Sequence, residues 1–98
     1  MTLPVRLTPA AEQDILLAQR WYLSEAPHVL ASFEEEIDRS FSRIGDAPKI
    51  YQAVEAEIRR APLQRFPFSV FYRILPEWIE VIGVVHQSRD PRRWRRRT

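Results

Sequence analysis

The chain has 98 residues, 45% of them hydrophobic and 11% aromatic, enough to build one core and too few for two. It has no cysteine and only two glycines, which excludes thiolate metal sites, cysteine nucleophiles, disulfide scaffolds and glycine-rich phosphate loops. The net charge of +2 is uneven: the last ten residues hold six arginines and one aspartate, a net +5, and the preceding 88 carry −3. Fourteen of the 15 basic residues are arginine, the side chain suited to bidentate contact with carboxylate or phosphate. No apolar run approaches the roughly 20 residues of a membrane helix. The first residues, Met1 to Arg6, lack a signal-peptide layout, so a cytoplasmic protein without membrane association is expected.

Residues 3–7 alternate around Val5 and Leu7 and predict a short edge strand, where Pro4 is tolerated. Thr8-Pro9 reads as an N-cap followed by proline at the first helical position. Glu12 and Asp14 suit the positive end of the helix dipole. Ala11, Ile15, Ala18 and Tyr22 continue at helical spacing, predicting a helix from Pro9 to Ser24. Trp21 is one residue out of phase with Tyr22, so it falls at the edge of the buried stripe. Pro27 can open a second helix, in which Leu30, Phe33, Ile37, Phe41 and Ile44 share one face and Gly45 is a natural stop. The short linker makes the two helices an antiparallel hairpin. His28 is expected at the surface.

Residues 46–53 read as loop. Three strands follow: Glu55–Ala61, Phe68–Leu75 and Trp78–His86. The second alternates, with Phe68, Val70, Tyr72 and Ile74 on one face. The third is apolar almost throughout, which places it centrally in a sheet. Asp90-Pro91 can start a short C-terminal helical turn. The predicted fold is an α+β two-layer sandwich of order β-α-α-β-β-β, with a helical hairpin on a small, mainly antiparallel sheet. It forms one domain over residues 1–98, with 95–98 an arginine-rich mobile tail. The hairpin can cover only one face of the sheet, so the other, bearing Arg60, Ser69, Phe71 and Arg73, is expected to be open.

Two segments carry a family resemblance, and the start fits it too, with an Ala11…Asp14 helix, the aromatic pair Trp21-Tyr22 and Phe33 on the second helix, so that it spans about Val5 to Arg95. Ile58-Arg59-Arg60-Ala61-Pro62-Leu63-Gln64-Arg65-Phe66-Pro67-Phe68-Ser69-Val70-Phe71-Tyr72-Arg73 resembles the middle of ParE-type toxins of the RelE/ParE superfamily. Val84-Val85-His86-Gln87-Ser88-Arg89-Asp90-Pro91-Arg92-Arg93-Trp94 resembles their close. The resemblance implies the toxin of a bacterial type II toxin–antitoxin module, neutralised by a ParD-like antitoxin of ribbon-helix-helix type. ParE-like members are associated with inhibition of DNA gyrase, and RelE-like members cleave messenger RNA on the ribosome. Fold alone does not separate the two.

Metal-free RNA cleavage needs a base, cations for the phosphorane and an acid. Arg60, Arg65, His86 and Arg89 are the residues that could supply them, His86 being the natural proton carrier. RelE-like nucleases usually add a tyrosine or histidine near the C-terminus. Here Gln87 follows His86, and the three tyrosines, at 22, 51 and 72, come earlier. A histidine ending an apolar strand is better accounted for by a hydrogen bond to the next turn. The expected function is therefore gyrase inhibition without catalysis; ribosome-dependent cleavage and an inactive, antitoxin-binding homologue are the alternatives. Arg89, Arg92, Arg93, Trp94 and Arg95 are the expected target contacts, since Trp and Arg dominate interface hot spots. Trp21, Arg59, Arg60, Arg65 and Arg73 are the expected antitoxin contacts, suited to an acidic, apolar segment. No cofactor and no metal are implied.

Overall fold

The structure, a computed structural model, describes residues 2–88. The predicted turn at Asp90-Pro91 and the tail at 95–98 lie outside them. The elements in chain order are β1 (Val5–Leu7), α1 (Pro9–Glu25), a short 3-10 turn (Pro27–Val29), α2 (Leu30–Asp46), β2 (Ala53–Glu55), β3 (Ile58–Pro62), β4 (Phe68–Ile74) and β5 (Ile79–His86). The five strands form one sheet in the order β1-β5-β4-β3-β2. All neighbours are antiparallel except β1 and β5, which pair in parallel with Leu7 opposite Val81. The architecture is α+β, with two helices on a mostly antiparallel sheet. As its continuous apolar character predicts, β5 is an interior strand.

Thr8 caps α1 as expected, its hydroxyl accepting the Ala11 N–H at 3.2 Å, with Pro9 at the helix start. On α1 the residues Ala11, Ala18 and Tyr22 are buried; on α2 Phe33, Ile37 and Ile44 are. They pack on Val70 and Tyr72 of β4 and on Ile79, Val81 and Val84 of β5. Pro27 opens the 3-10 turn, and α2 proper begins at Leu30. His28 is exposed.

Gly45 has a different role from the one its position suggests. It lies inside the last turn of α2 with no positive φ. Its carbonyl accepts the Leu3 N–H at 2.9 Å, and a β-carbon at this position would stand 2.8 Å from the Leu3 oxygen. Glycine is needed here for close approach of the N-terminal segment, not to end the helix.

The predicted strand Glu55–Ala61 is instead the second half of a hairpin. β2 and β3 are joined across Ala56 and Glu57, and Ala56 takes a φ of 49°. A turn built without glycine or asparagine leaves little trace in the sequence.

β5 carries a bulge. Phe71 pairs with Gly83 and Tyr72 with Val81, so Ile82 is an extra residue between them. The bulge shifts the alternation of β5: Val81 and Val84 face the helices, and Ile82 and Val85 face the other way. This is why β5 reads as apolar almost throughout.

The face away from the helices is not open at its centre. Ile58, Phe71, Ile82 and Val85 form a second buried cluster there, and Ser69 is only 2% exposed. Arg60 and Arg73 flank that cluster, as the alternation predicts.

Candidate functional site

A groove of about 410 Å³ runs between α1 and the adjoining ends of β4 and β5. One wall comes from α1. Tyr22 takes the core-facing position, and Trp21, about 100° round the helix, is left on the flank. Leu17 stands four residues before Trp21 and shares its side. They are 49% and 58% exposed. The Trp21 ring meets Tyr22 edge-on at 5.1 Å.

The other wall is Pro67 and Phe68 at the start of β4 and His86 at the end of β5. Phe68 and His86 are opposite each other in register, with ring centroids 5.1 Å apart in a T-shaped contact. The His86 Nδ1 accepts the Ser88 N–H at 3.0 Å and lies 2.8 Å from the Ser88 hydroxyl. An Nδ1 that accepts leaves the proton of the neutral ring on Nε2. His86 therefore does bond the following turn. Asp14 closes one end of the groove, its carboxylate accepting the Val84 N–H at 2.9 Å.

The loop carrying Pro67 is held in place by Glu36. This α2 carboxylate is 7% exposed and accepts the backbone N–H groups of Gln64 and Arg65. Phe66, from the same loop, packs edge-on against Tyr22 and Phe33 at 5.6 and 5.4 Å. The β4 wall is thus built on a fixed loop.

The predicted site residues are spread over the molecule. Trp21 and His86 meet in the groove. Arg59 points to the helix side, its Nη1 donating to the Tyr51 carbonyl at 2.5 Å. Arg60 sits opposite Phe71 on the far face, its Nε donating to the Ser69 hydroxyl at 3.0 Å. Arg73 is on that far face too, paired with Glu80 at 2.8 Å. Arg65 lies on the loop, its largely exposed guanidinium 3.6 Å from Glu36. Arg60 and His86 are on opposite faces of the sheet, because their partners Phe71 and Phe68 are three residues apart on one strand. Arg89, Arg92, Arg93, Trp94 and Arg95 lie outside the described residues. The groove walls Leu17, Pro67 and Phe68 were not expected; the four-residue spacing of Leu17 and Trp21 was the available signal.

The buried tyrosines hold their protons. Burial raises the Tyr22 phenol, and burial pushes Tyr72 up to about 12 despite the nearby Arg59 charge. The Tyr72 hydroxyl donates to the Pro48 carbonyl at 2.7 Å. Neither phenol is disposed to act as a base near neutral pH.

The family model for the ParE toxin of type II toxin-antitoxin system, parDE, matches residues 5–91. No curated protein matches the sequence. Among solved structures, the chromosomal ParDE toxin–antitoxin system from P. aeruginosa is similar at 16% identity and a TM-score of 0.73, over 87% of this chain and 96% of that one. The toxin–antitoxin complex RelBE2 from Mycobacterium tuberculosis is similar at 18% identity and a TM-score of 0.59, over 88% and 99%. At such identities the likeness is one of fold. The match to the family model spans both helices and all five strands, and on it the chain belongs to the ParE toxin family of type II toxin–antitoxin systems.

Proposed function

We propose that this toxin acts in the bacterial cytoplasm by binding and inhibiting DNA gyrase, and that a ParD-like antitoxin neutralises it. What supports this target over messenger RNA is that Arg60 and His86 lie on opposite faces of the sheet, which takes Arg60 out of any phosphate site shared with His86. A phosphorane needs its cation and its proton carrier on the same side of one phosphate. In this reading Arg89, Arg92, Arg93, Trp94 and Arg95 make the target contacts. Trp21, in the groove, and Arg65, on the adjoining loop, contact the antitoxin; Arg59, Arg60 and Arg73 serve as further points for its carboxylates. Both solved relatives come from toxin–antitoxin systems, which supports a cognate antitoxin.

The test is supercoiling by purified gyrase in the presence of the purified protein. Inhibition is expected; untouched gyrase at large excess removes the target. Expression without antitoxin, scored for growth and transcript integrity, covers the alternatives. Codon-phased cuts lost in His86→Ala and Arg65→Ala would establish the ribonuclease, and unaffected growth an inactive homologue.

A further inference from the structure

We infer that the solvent side of α1 is a self-complementary surface on which a second copy of this chain docks, the two α1 helices lying antiparallel about a two-fold axis beside Leu16. The inference is independent of the cellular target.

The apolar residues of α1 are not confined to its buried stripe. Four of the six large apolar side chains exposed among the described residues, Leu16, Leu17, Trp21 and Leu23, are on this helix. Leu17 and Trp21 turn toward the groove. Leu16 and Leu23, 39% and 62% exposed, lie on the side away from Ala11, Ala18 and Tyr22. The solvent side of α2 is built differently, with Glu34, Glu35, Asp38 and Arg39 in water. A surface helix ordinarily turns its charged side outward, as α2 does; a helix that is apolar on both sides has more surface to bury.

Charge selects a second copy as the occupant. At 100° per residue, Glu12, Leu16, Arg20 and Leu23 fall within about 80° of one another round the helix. Glu12 and Arg20 stand four residues to either side of Leu16, and both are exposed. They are about 12 Å apart along the axis, too far to pair with each other. Neither makes an ion pair among the described residues. A two-fold beside Leu16 brings Arg20 against the partner's Glu12 and Glu12 against the partner's Arg20. The same rotation sets Leu16 against its own counterpart and lays Leu23 near the partner's Pro9. Each half of the patch is thus the complement of the other, as an isologous contact requires. The antiparallel arrangement also places opposite ends of the helix dipoles side by side. A parallel pair in register would instead oppose glutamate to glutamate and arginine to arginine. One helix face makes a small interface, so the dimer is weak, with a dissociation constant on the order of 100 μM.

Sedimentation equilibrium of the full chain, over concentrations spanning that value, is expected to show a monomer–dimer equilibrium. Amide shifts that grow with concentration should centre on Leu16, Arg20 and Leu23, a readout that needs no variant. Leu16→Glu sets two carboxylates together at the axis, and Arg20→Glu and Glu12→Arg each oppose like charges; each is expected to weaken association roughly tenfold or more. An equimolar mixture of the Arg20→Glu and Glu12→Arg proteins should associate again, because every carboxylate then meets a guanidinium across the interface.

A chain that stays monomeric at every concentration leaves this face to a different partner and overturns the inference. A dimer indifferent to Leu16→Glu and Arg20→Glu, or concentration-dependent shifts away from α1, places the contact elsewhere and also overturns it. Failure of the mixture to associate, when both variants keep the native amide spectrum, refutes the two-fold about Leu16. Gyrase inhibition is scored separately, and its outcome leaves this inference untouched.

Discussion

Asp14 and Val84 join helix to sheet at the point where β1 has ended. β1 pairs with β5 only as far as Val81, and the Thr8 N–H bonds the Val81 carbonyl. Three residues on, the α1 carboxylate takes over the role of a neighbouring strand by accepting the Val84 N–H. Asp14→Ala leaves that amide without its acceptor at a half-buried site. The expected loss is about 1–3 kcal/mol, read by urea denaturation, with Asp14→Asn losing less. An unchanged denaturation midpoint in Asp14→Ala would show that water replaces the carboxylate.

Gly45→Ala reverses an ordinary rule. In a helix interior alanine is better than glycine by about 1 kcal/mol. Here the added carbon meets the Leu3 carbonyl, a backbone atom that cannot turn aside. The variant is expected to be less stable by about 1–3 kcal/mol. Faster hydrogen exchange in β1 should accompany the loss, since the chain entering that strand must shift.

Glu36 and Arg65 form an unequal pair. The arginine side chain is 62% exposed and the glutamate side chain 9%. Arg65→Ala should cost about 0–1 kcal/mol, like other exposed ion pairs. Glu36→Ala also removes the acceptor of two backbone amides and should cost about 2–3 kcal/mol. Comparing the two thermal melts tests the assignment, and equal effects would contradict it.

Tyr72 sets an alkaline limit on stability. Its folded pKa of about 12 exceeds the ordinary value of 10, so the folded protein keeps a proton that the unfolded chain releases. The resulting stability is complete below pH 10 and is lost as pH rises toward about 12. Tyr22, also raised by burial, adds in the same direction. Tyr72→Phe is expected to flatten most of this decline and to delete the last step in the tyrosinate absorbance titration.

Much of the fold was legible because it follows simple periods. The α2 pattern put Phe33, Ile37 and Ile44 inward, and the alternation of β4 separated Val70 and Tyr72 from Ser69 and Phe71. Hidden features were those in which a residue acts against its type. Ala56 makes a turn with a left-handed backbone. Ile82 interrupts a strand without breaking its apolar run. Asp14 is expected only to suit the helix dipole and Glu36 carries no signal of its own, yet they accept main-chain amides from segments 70 and 28 positions away. The exposed flank of Trp21 followed from its phase on α1, whereas Pro67, Phe68 and His86 reach the groove only through the pairing of β4 with β5.

The parallel pairing of β1 with β5 bears on how the protein is made. β1 precedes β5 by more than 70 residues of chain, and the helix-facing core needs Ile79, Val81 and Val84 from β5. Until β5 has left the ribosome, the nascent chain cannot close its core by either early helix or early strand. Its helices therefore keep their apolar faces uncovered for as long as translation of β5 is pending.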